Sequence, residues 1–170
     1  MTRRHPLRPL SLASLALLWG GACTAQAPPS AEPPAGSVEV AAQPIPIDGS
    51  YTGIAEPLRA LVRSEGEWRD LWARLAVNRI PRPAPPAVDF SARVVVVATM
   101  GTRPSGGHAI RIDRVSYAGD TLWVEITSIA PGVGCITTQA LTAPVAAVAV
   151  ERRPDVSARF LDREETLDCE

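Results

Sequence analysis

The chain has no lysine, only two histidines and only three cysteines, so several kinds of functional site lack their usual residues. All 17 basic residues are arginine, and 18 acidic residues balance them to a net charge of -1. This balance provides no positive field for a polyphosphate backbone, which argues against a nucleic-acid partner. With only His5 and His108, a histidine-rich metal site cannot be built. We therefore expect no metal and no cofactor.

The composition is otherwise that of a folded protein. Hydrophobic residues make up 46% of the chain and charged residues 21%, which is typical of a globular domain and not of a disordered one. The 17 prolines are numerous for a chain of 170 residues, but they cluster in a few stretches. This clustering predicts linkers and loops around one folded body.

Residues 1–22 have the three parts of a bacterial export signal. Arginines give a positive start, an apolar stretch follows over residues 10–19, and small residues precede Cys23. That stretch is too short to span a bilayer as a helix, which needs about 20 residues. We expect a lipoprotein-type signal peptide and lipidation of Cys23. The protein would then lie in the bacterial cell envelope, anchored to a lipid membrane with its body in the periplasm or outside the cell.

Two other interpretations of this N-terminal segment stay open. Gly20 stands where lipoprotein signals usually carry leucine, so ordinary cleavage after Ala27 would give a secreted soluble protein. Pro28 would then follow the cleaved bond, where proline is poorly accepted. The segment could also remain as an uncleaved anchor.

Residues 23–47 are expected to be the anchor cysteine followed by a tether rich in proline and alanine. Such a segment cannot bury enough apolar surface to fold, and its prolines keep it extended. The folded domain is expected over residues 48–170, a length sufficient for one core.

The clearest local pattern predicts a helix that follows Ser64. Ser64 and Glu67 have the spacing of a capping box, in which the two side chains satisfy free backbone amides at the helix start. Four apolar residues then recur at helical spacing and define one face: Trp68, Leu71, Trp72 and Leu75. We expect both tryptophans to lie in the core and not in a ligand site.

The rest of the domain is predicted to be β-structure. Residues 93–100 form a β-branched run typical of a strand buried on both faces. Residues 110–115 and 121–127 alternate around a turn at 118–120 and predict a hairpin. Further strands are predicted over 58–63, 145–151 and 156–161. The fold class is α+β, with one amphipathic helix packed on a mostly antiparallel sheet of five to seven strands.

Cys135 and Cys169 remain once Cys23 carries lipid. In an exported chain two remaining cysteines favour a disulfide between them, and this bond would stabilise the fold by about 3–4 kcal/mol. The alternative is that Cys135 is a small buried apolar residue and that Cys169 is free at the terminus.

The segment Ser105-Gly106-Gly107-His108 is the closest approach to a catalytic motif. A hydrolase triad needs a base, and His108 is the only imidazole beyond the export signal. The segment precedes a strand and has no strand–nucleophile–helix elbow, so a glycine turn explains it better. A Cys135–His108 pair would need a free thiolate, which the disulfide would remove. We expect no catalytic residue and no enzymatic activity.

The same loop is the candidate binding site, with Arg103, Ser105, Gly106, Gly107 and His108 as its residues. Backbone amides at glycine turns bind anions, and the charge of Arg103 would add to them, so a small anion or a partner's carboxylate is the expected contact. A phosphate-binding loop would need lysine and a following helix, and neither is present. The alternative is a rigid turn without a ligand.

Several short motifs occur in an order and spacing that resembles a known family. No single motif is specific, but together they span almost the whole expected domain. They are Tyr51-Thr52-Gly53-Ile54, Glu67-Trp68-Arg69-Asp70-Leu71-Trp72, Asp89-Phe90-Ser91, Met100-Gly101-Thr102-Arg103-Pro104-Ser105-Gly106-Gly107, Ile110-Arg111-Ile112 and Cys135-Ile136-Thr137-Thr138-Gln139-Ala140-Leu141-Thr142-Ala143-Pro144. This order resembles the C-terminal domain of the protease complex subunit PrcB, and His108 stands where that family usually has an aromatic residue.

The resemblance implies a lipoprotein-type, non-catalytic domain that mediates protein–protein interaction. Its expected partner is another envelope protein, and the family's namesake is an accessory subunit that associates with and stabilises a surface protease. The alternative function is a small-ligand or peptidoglycan-binding module of the envelope, which would use the same loop together with Trp123.

Overall fold

The computed structural model describes residues 32–47 and 52–169, which contain eight strands and one helix. In chain order these are β1 (Val38–Glu39), β2 (Ala42–Pro44), β3 (Leu58–Val62), α1 (Glu65–Leu75), β4 (Arg93–Thr99), β5 (Ala109–Ala118), β6 (Thr121–Pro131), β7 (Val145–Glu151) and β8 (Ser157–Leu167). The export signal and Cys23 lie outside the described residues, so their roles stay predictions.

The strands form two sheets of four. Sheet 1 has the order β1-β5-β6-β8, and sheet 2 has the order β2-β7-β4-β3. Neighbouring strands are antiparallel except β6 and β8, which are parallel. The domain is therefore mostly β with one short helix, and the prediction of a single sheet of five to seven strands is wrong. Alternating hydrophobicity shows that a strand has a buried face, but not which strands share a sheet.

Strand β4 is covered on both faces, as its β-branched run predicted. Val94 and Val96 belong to a core cluster with residues of sheet 1, whereas Val95 and Val97 belong to a second cluster with the helix. Because neither face is exposed to water, the strand shows a continuous apolar run and no alternation. The core thus has one part between the two sheets and another between sheet 2 and α1.

The helix begins close to where the sequence predicted. Ser64 caps it, since its hydroxyl accepts a hydrogen bond from the Glu67 amide at 3.2 Å. The Glu67 carboxylate accepts a hydrogen bond from the amide of Arg63 at 2.7 Å. In a capping box the donor would be the amide of Ser64, one residue later. The predicted apolar positions are buried: Trp68, Leu71, Trp72 and Leu75. Within the described ranges, no helix has the length and apolarity needed to cross a membrane.

The folded domain begins earlier than residue 48. Strand β1 pairs with β5, strand β2 pairs with β7, and Ile45 joins the helix-side core. The expected tether is therefore wrong for residues 38–45. Both strands lie at sheet edges, where proline is tolerated and where pairing with a neighbour matters more than the strand's own composition.

Strands β6 and β8 are longer than predicted. Their parallel ladder begins at the pair Thr121 and Ser157 and ends at the pair Pro131 and Leu167. The second half of β8 is charged and exposed, so it gave no apolar pattern. The structure contains the Cys135–Cys169 disulfide, which joins the end of this ladder to the segment after β6.

Candidate functional site

The loop between β4 and β5, residues 100–108, carries all five predicted binding residues. The amide of Arg103 donates to the Thr142 carbonyl at 2.7 Å, and the Thr142 amide donates back to the Arg103 carbonyl at 3.0 Å. The amide of Gly106 donates to the Thr138 carbonyl at 2.9 Å. The loop and residues 135–144, two motifs of the family resemblance, are therefore hydrogen-bonded to each other.

The glycine pair forms the turn that the sequence predicted. Gly107 has a φ of +81°, a left-handed conformation that side chains rarely adopt. Gly106 packs so closely on Thr138 that a Cβ atom would overlap the Thr138 hydroxyl. The pair is thus explained by backbone geometry.

A cavity of about 330 Å³ lies beside this loop. Met100, Arg103 and His108 line it from the loop, Arg59 lines it from β3, and residues 162–166 line it from β8. Its volume falls within the range of about 300–1000 Å³ that is usual for small-ligand sites. Of the predicted site residues, the structure brings Arg103 and His108 to the cavity, while Ser105 and the glycines form the supporting turn.

Sequence reasoning did not find the wall that β3 and β8 contribute. Arg59 donates from Nε and Nη2 to one oxygen of Asp162, at 2.8 and 2.6 Å. Its Nη1 donates to the carbonyls of Leu58 and Thr99, at 2.9 and 2.7 Å. Arg59 therefore joins the edge strands of the two sheets, and Asp162 neutralises its charge. No local signal marks this pair, because 103 positions separate its members.

Arg103 and His108 present unpaired nitrogen atoms. Arg103 Nη2 donates to the Met100 carbonyl at 2.7 Å, while Nε is buried without a partner among the described residues. The Nδ1 atom of His108 is also buried and unpaired in that part of the chain. Arg103 Nη1 and His108 Nε2 make no hydrogen bond to residues 32–47 or 52–169, and neither is buried. Polar groups left unpaired in this way call for a partner from beyond the described residues.

The charges around the cavity divide into paired and unpaired groups. Asp162 is paired with Arg59, and Glu165 is paired with Arg111 at 2.8 Å. Glu164 has no hydrogen-bond or ion-pair partner among the described residues. Burial lowers the pKa of His108 below its ordinary value of 6.5, and the positive charge of Arg103 lowers it further. The imidazole is therefore mostly neutral near pH 7, and the guanidinium of Arg103 makes no ion pair with the described residues.

This lowered pKa makes stability depend on pH. The unfolded state protonates His108 near pH 6.5 and the folded state does so only at lower pH, so the free energy of unfolding decreases as pH falls between these two values. We expect His108→Gln to remove this part of the decrease, measured by urea unfolding between about pH 5 and 8. Arg82→Gln, at an exposed side chain outside the cavity, is the control and should keep the decrease. A profile that His108→Gln leaves unaltered would contradict this assignment.

The residues that would serve nucleophilic catalysis make other contacts. The Ser105 hydroxyl donates to the Gly106 carbonyl at 3.2 Å and does not bond His108. Cys135 is held in the disulfide, so it offers no free thiol to His108. Across the described ranges, no group of three or more His, Cys, Asp or Glu residues is placed to hold a metal ion. Trp123 does not line the cavity, and the Arg159 guanidinium lies 5.8 Å from the centre of its ring.

A second polar cluster lies around Glu125, which is only 5% exposed. Arg163 and Arg114 approach its carboxylate at 3.1 and 3.8 Å. Because both charges of these contacts come from the chain itself, the cluster is internally compensated and needs no ligand. The Arg103–His108 cavity is the stronger candidate site.

Fold and site together define a two-sheet domain with a helix on one side and a donor-lined cavity at the loop after β4. Residues 94–151 match the family described as PrcB C-terminal, which confirms the family resemblance for this segment. The match runs from β4 through β7 and includes Arg103 and His108. No curated protein and no solved structure shows a significant match to the chain.

Proposed function

We propose that this protein is a membrane-anchored, non-catalytic lipoprotein domain that binds another envelope protein, as an accessory and stabilising subunit of an exported protease. The match of residues 94–151 to the PrcB C-terminal family carries this proposal. Anchoring through Cys23 rests on the export-signal pattern of residues 1–22.

Exposed apolar side chains beside the disulfide support a protein-binding role. Val133 and Ile136 flank Cys135 and are fully exposed, and Leu167 is half exposed. The Leu167 carbonyl accepts from the Gly132 amide at 2.9 Å, so the end of β8 and the segment after β6 lie together. Exposed apolar residues grouped in this way are typical of protein-interaction surfaces.

A second candidate function is the binding of a small ligand or a peptidoglycan fragment. The cavity beside Arg103 and His108 favours it, because its volume and its unpaired donors fit a small polar molecule. Trp123 no longer belongs to this alternative, since it lies outside the cavity.

Crosslinked pull-down from the native envelope, with the full chain as bait, tests the leading proposal. We expect recovery of one exported protease at near-stoichiometric yield, identified by mass spectrometry. The Cys23→Ser variant should leave the membrane fraction, because the acyl chains hold the protein there, and should recover less of a membrane-bound partner.

An unrelated lipoprotein of the same envelope serves as the control bait and should not recover the protease. If the full chain recovers only abundant envelope proteins, the accessory-subunit proposal fails. Recovery of cell-wall fragments instead would favour the ligand-binding function.

A further inference from the structure

Strand β8 is a long edge strand with one unpaired side. Within residues 32–47 and 52–169, only β6 pairs with it, along the whole of Ser157–Leu167. The backbone groups on its other side have no strand partner in that part of the chain. Such an edge can accept an extended peptide, which gains main-chain hydrogen bonds as an added strand.

The Arg103–His108 cavity lies at one end of this edge. Residues 162–166 of β8 line it, and residues 157–161 lead towards it. Strand β8 runs towards the cavity and ends at Leu167, directly after the lining residues 162–166. A peptide that follows β8 in the same direction would therefore end at the cavity with its carboxyl terminus.

The unpaired nitrogen atoms in the cavity suit a carboxylate. Arg103 supplies a permanent positive charge, its backbone is bonded both ways to Thr142, and its Nη1 has no partner among the described residues. His108 lines the same cavity, and its Nε2 makes no hydrogen bond to the described residues. Charge-assisted hydrogen bonds from a held guanidinium are among the stronger polar contacts in proteins. Glu164, unpaired within the described ranges, repels any anion in the cavity, and it disfavours a multiply charged one such as phosphate more than a single carboxylate.

We propose that the Arg103–His108 cavity and the free edge of β8 bind the C-terminal end of an extended polypeptide, with the terminal carboxylate on Arg103 and His108 and the preceding residues paired with β8. This inference rests on the proposed function in one respect: the polypeptide is taken to be a protein partner. The contacts are to backbone and carboxylate, so the site does not depend on a particular sequence.

NMR titration of the isotopically labelled full chain with acetyl-trialanine tests the proposal. This peptide has a free carboxylate and a backbone but no distinguishing side chains. We expect it to shift the ring signals of His108, the side-chain signals of Arg103 and the backbone amides of residues 162–166. Acetyl-trialanine amide should cause no such shifts, because it lacks the carboxylate.

Two variants link the signals to the site. Arg103→Gln should weaken binding about 10- to 100-fold, the effect of losing one charge-assisted hydrogen bond. His108→Ala removes a side chain that makes no hydrogen bond in the described residues, so it should weaken binding without loss of the fold. Arg82→Gln is the matched control, since this exposed arginine does not line the cavity, and it should bind as the unchanged chain does.

Three results would overturn the proposal. Equal shifts by the acid and the amide would show that the carboxylate is not recognised. Shifts by acetate that match those by the peptide, with no change in β8, would show a small-carboxylate site and no strand addition. An absence of shifts with acetyl-trialanine would show that the cavity does not bind a chain end.

The pull-down tests the accessory-subunit function and the NMR titration tests the peptide site, so either claim can be rejected without the other. Peptide binding without a recovered protease would keep this site and reject the accessory-subunit function. Recovery of a protease by the Arg103→Gln variant as efficiently as by the unchanged chain would keep that function and place the contact elsewhere, for example on the apolar residues beside Cys135.

Discussion

Replacing Trp68 with alanine should lower the free energy of unfolding by about 3–5 kcal/mol. Trp68 is almost completely buried between the helix and sheet 2, and its ring centre lies 5.5 Å from that of Trp72. Its indole nitrogen donates to the Pro86 carbonyl at 2.9 Å, which holds the loop after the helix. The substitution removes the packing and this hydrogen bond together. Urea unfolding followed by circular dichroism measures the loss.

Two further variants separate the contributions at this position. Trp68→Phe keeps most of the apolar volume and loses the hydrogen bond, so it should cost clearly less than Trp68→Ala. Trp123→Ala, at a half-buried tryptophan outside the core clusters, is the matched control for losing an indole ring. Equal losses for Trp68→Ala and Trp123→Ala would show that Trp68 contributes no more to the core than Trp123 does.

Replacing both Cys135 and Cys169 with serine should lower the free energy of unfolding by about 3–4 kcal/mol. The two residues are 34 positions apart, so the bond restricts a long loop in the unfolded chain. Cys23→Ser is the matched control: it also removes a cysteine, but one outside this bond, and it should leave the unfolding free energy unchanged. Reducing agent should destabilise the unchanged chain and have no effect on the double variant.

The same double variant connects stability to the site. The disulfide ties down the segment that holds Arg103 through Thr142 and holds Gly106 through Thr138. We therefore expect acetyl-trialanine binding to weaken even under conditions in which the variant is fully folded. Unchanged binding would show that the loop keeps its position without the bond.

The sequence predicted those elements whose signals are local. The start of the helix was recognisable because Ser64 and Glu67 cap it and Trp68 begins an apolar face at helical spacing. Strand β4 was recognisable because burial on two faces leaves an uninterrupted β-branched run. The turn at Gly106 and Gly107 was predicted from the conformational freedom of glycine.

Only the part of the candidate site that lies within one short segment could be predicted, because sequence signals are local. Arg103 and His108 lie in one loop, so the sequence identified them as a possible contact. Arg59 and Asp162 belong to strands far apart in the chain, and nothing near either residue indicates the other. Strand β2 was missed because its pairing with β7, and not its own composition, stabilises it.

By itself the sequence determined the family resemblance, which the match confirms over residues 94–151, the capped helix, the doubly buried strand and the cysteine pair available for a disulfide. These follow from spacing, periodicity and composition within short stretches of chain. Only the tertiary structure decided that the strands divide into two sheets, that β8 runs parallel to β6 with a free edge, and that a cavity opens beside Arg103 and His108. Long-range pairing decides these features, because a strand's local pattern gives its buried face but not its neighbour.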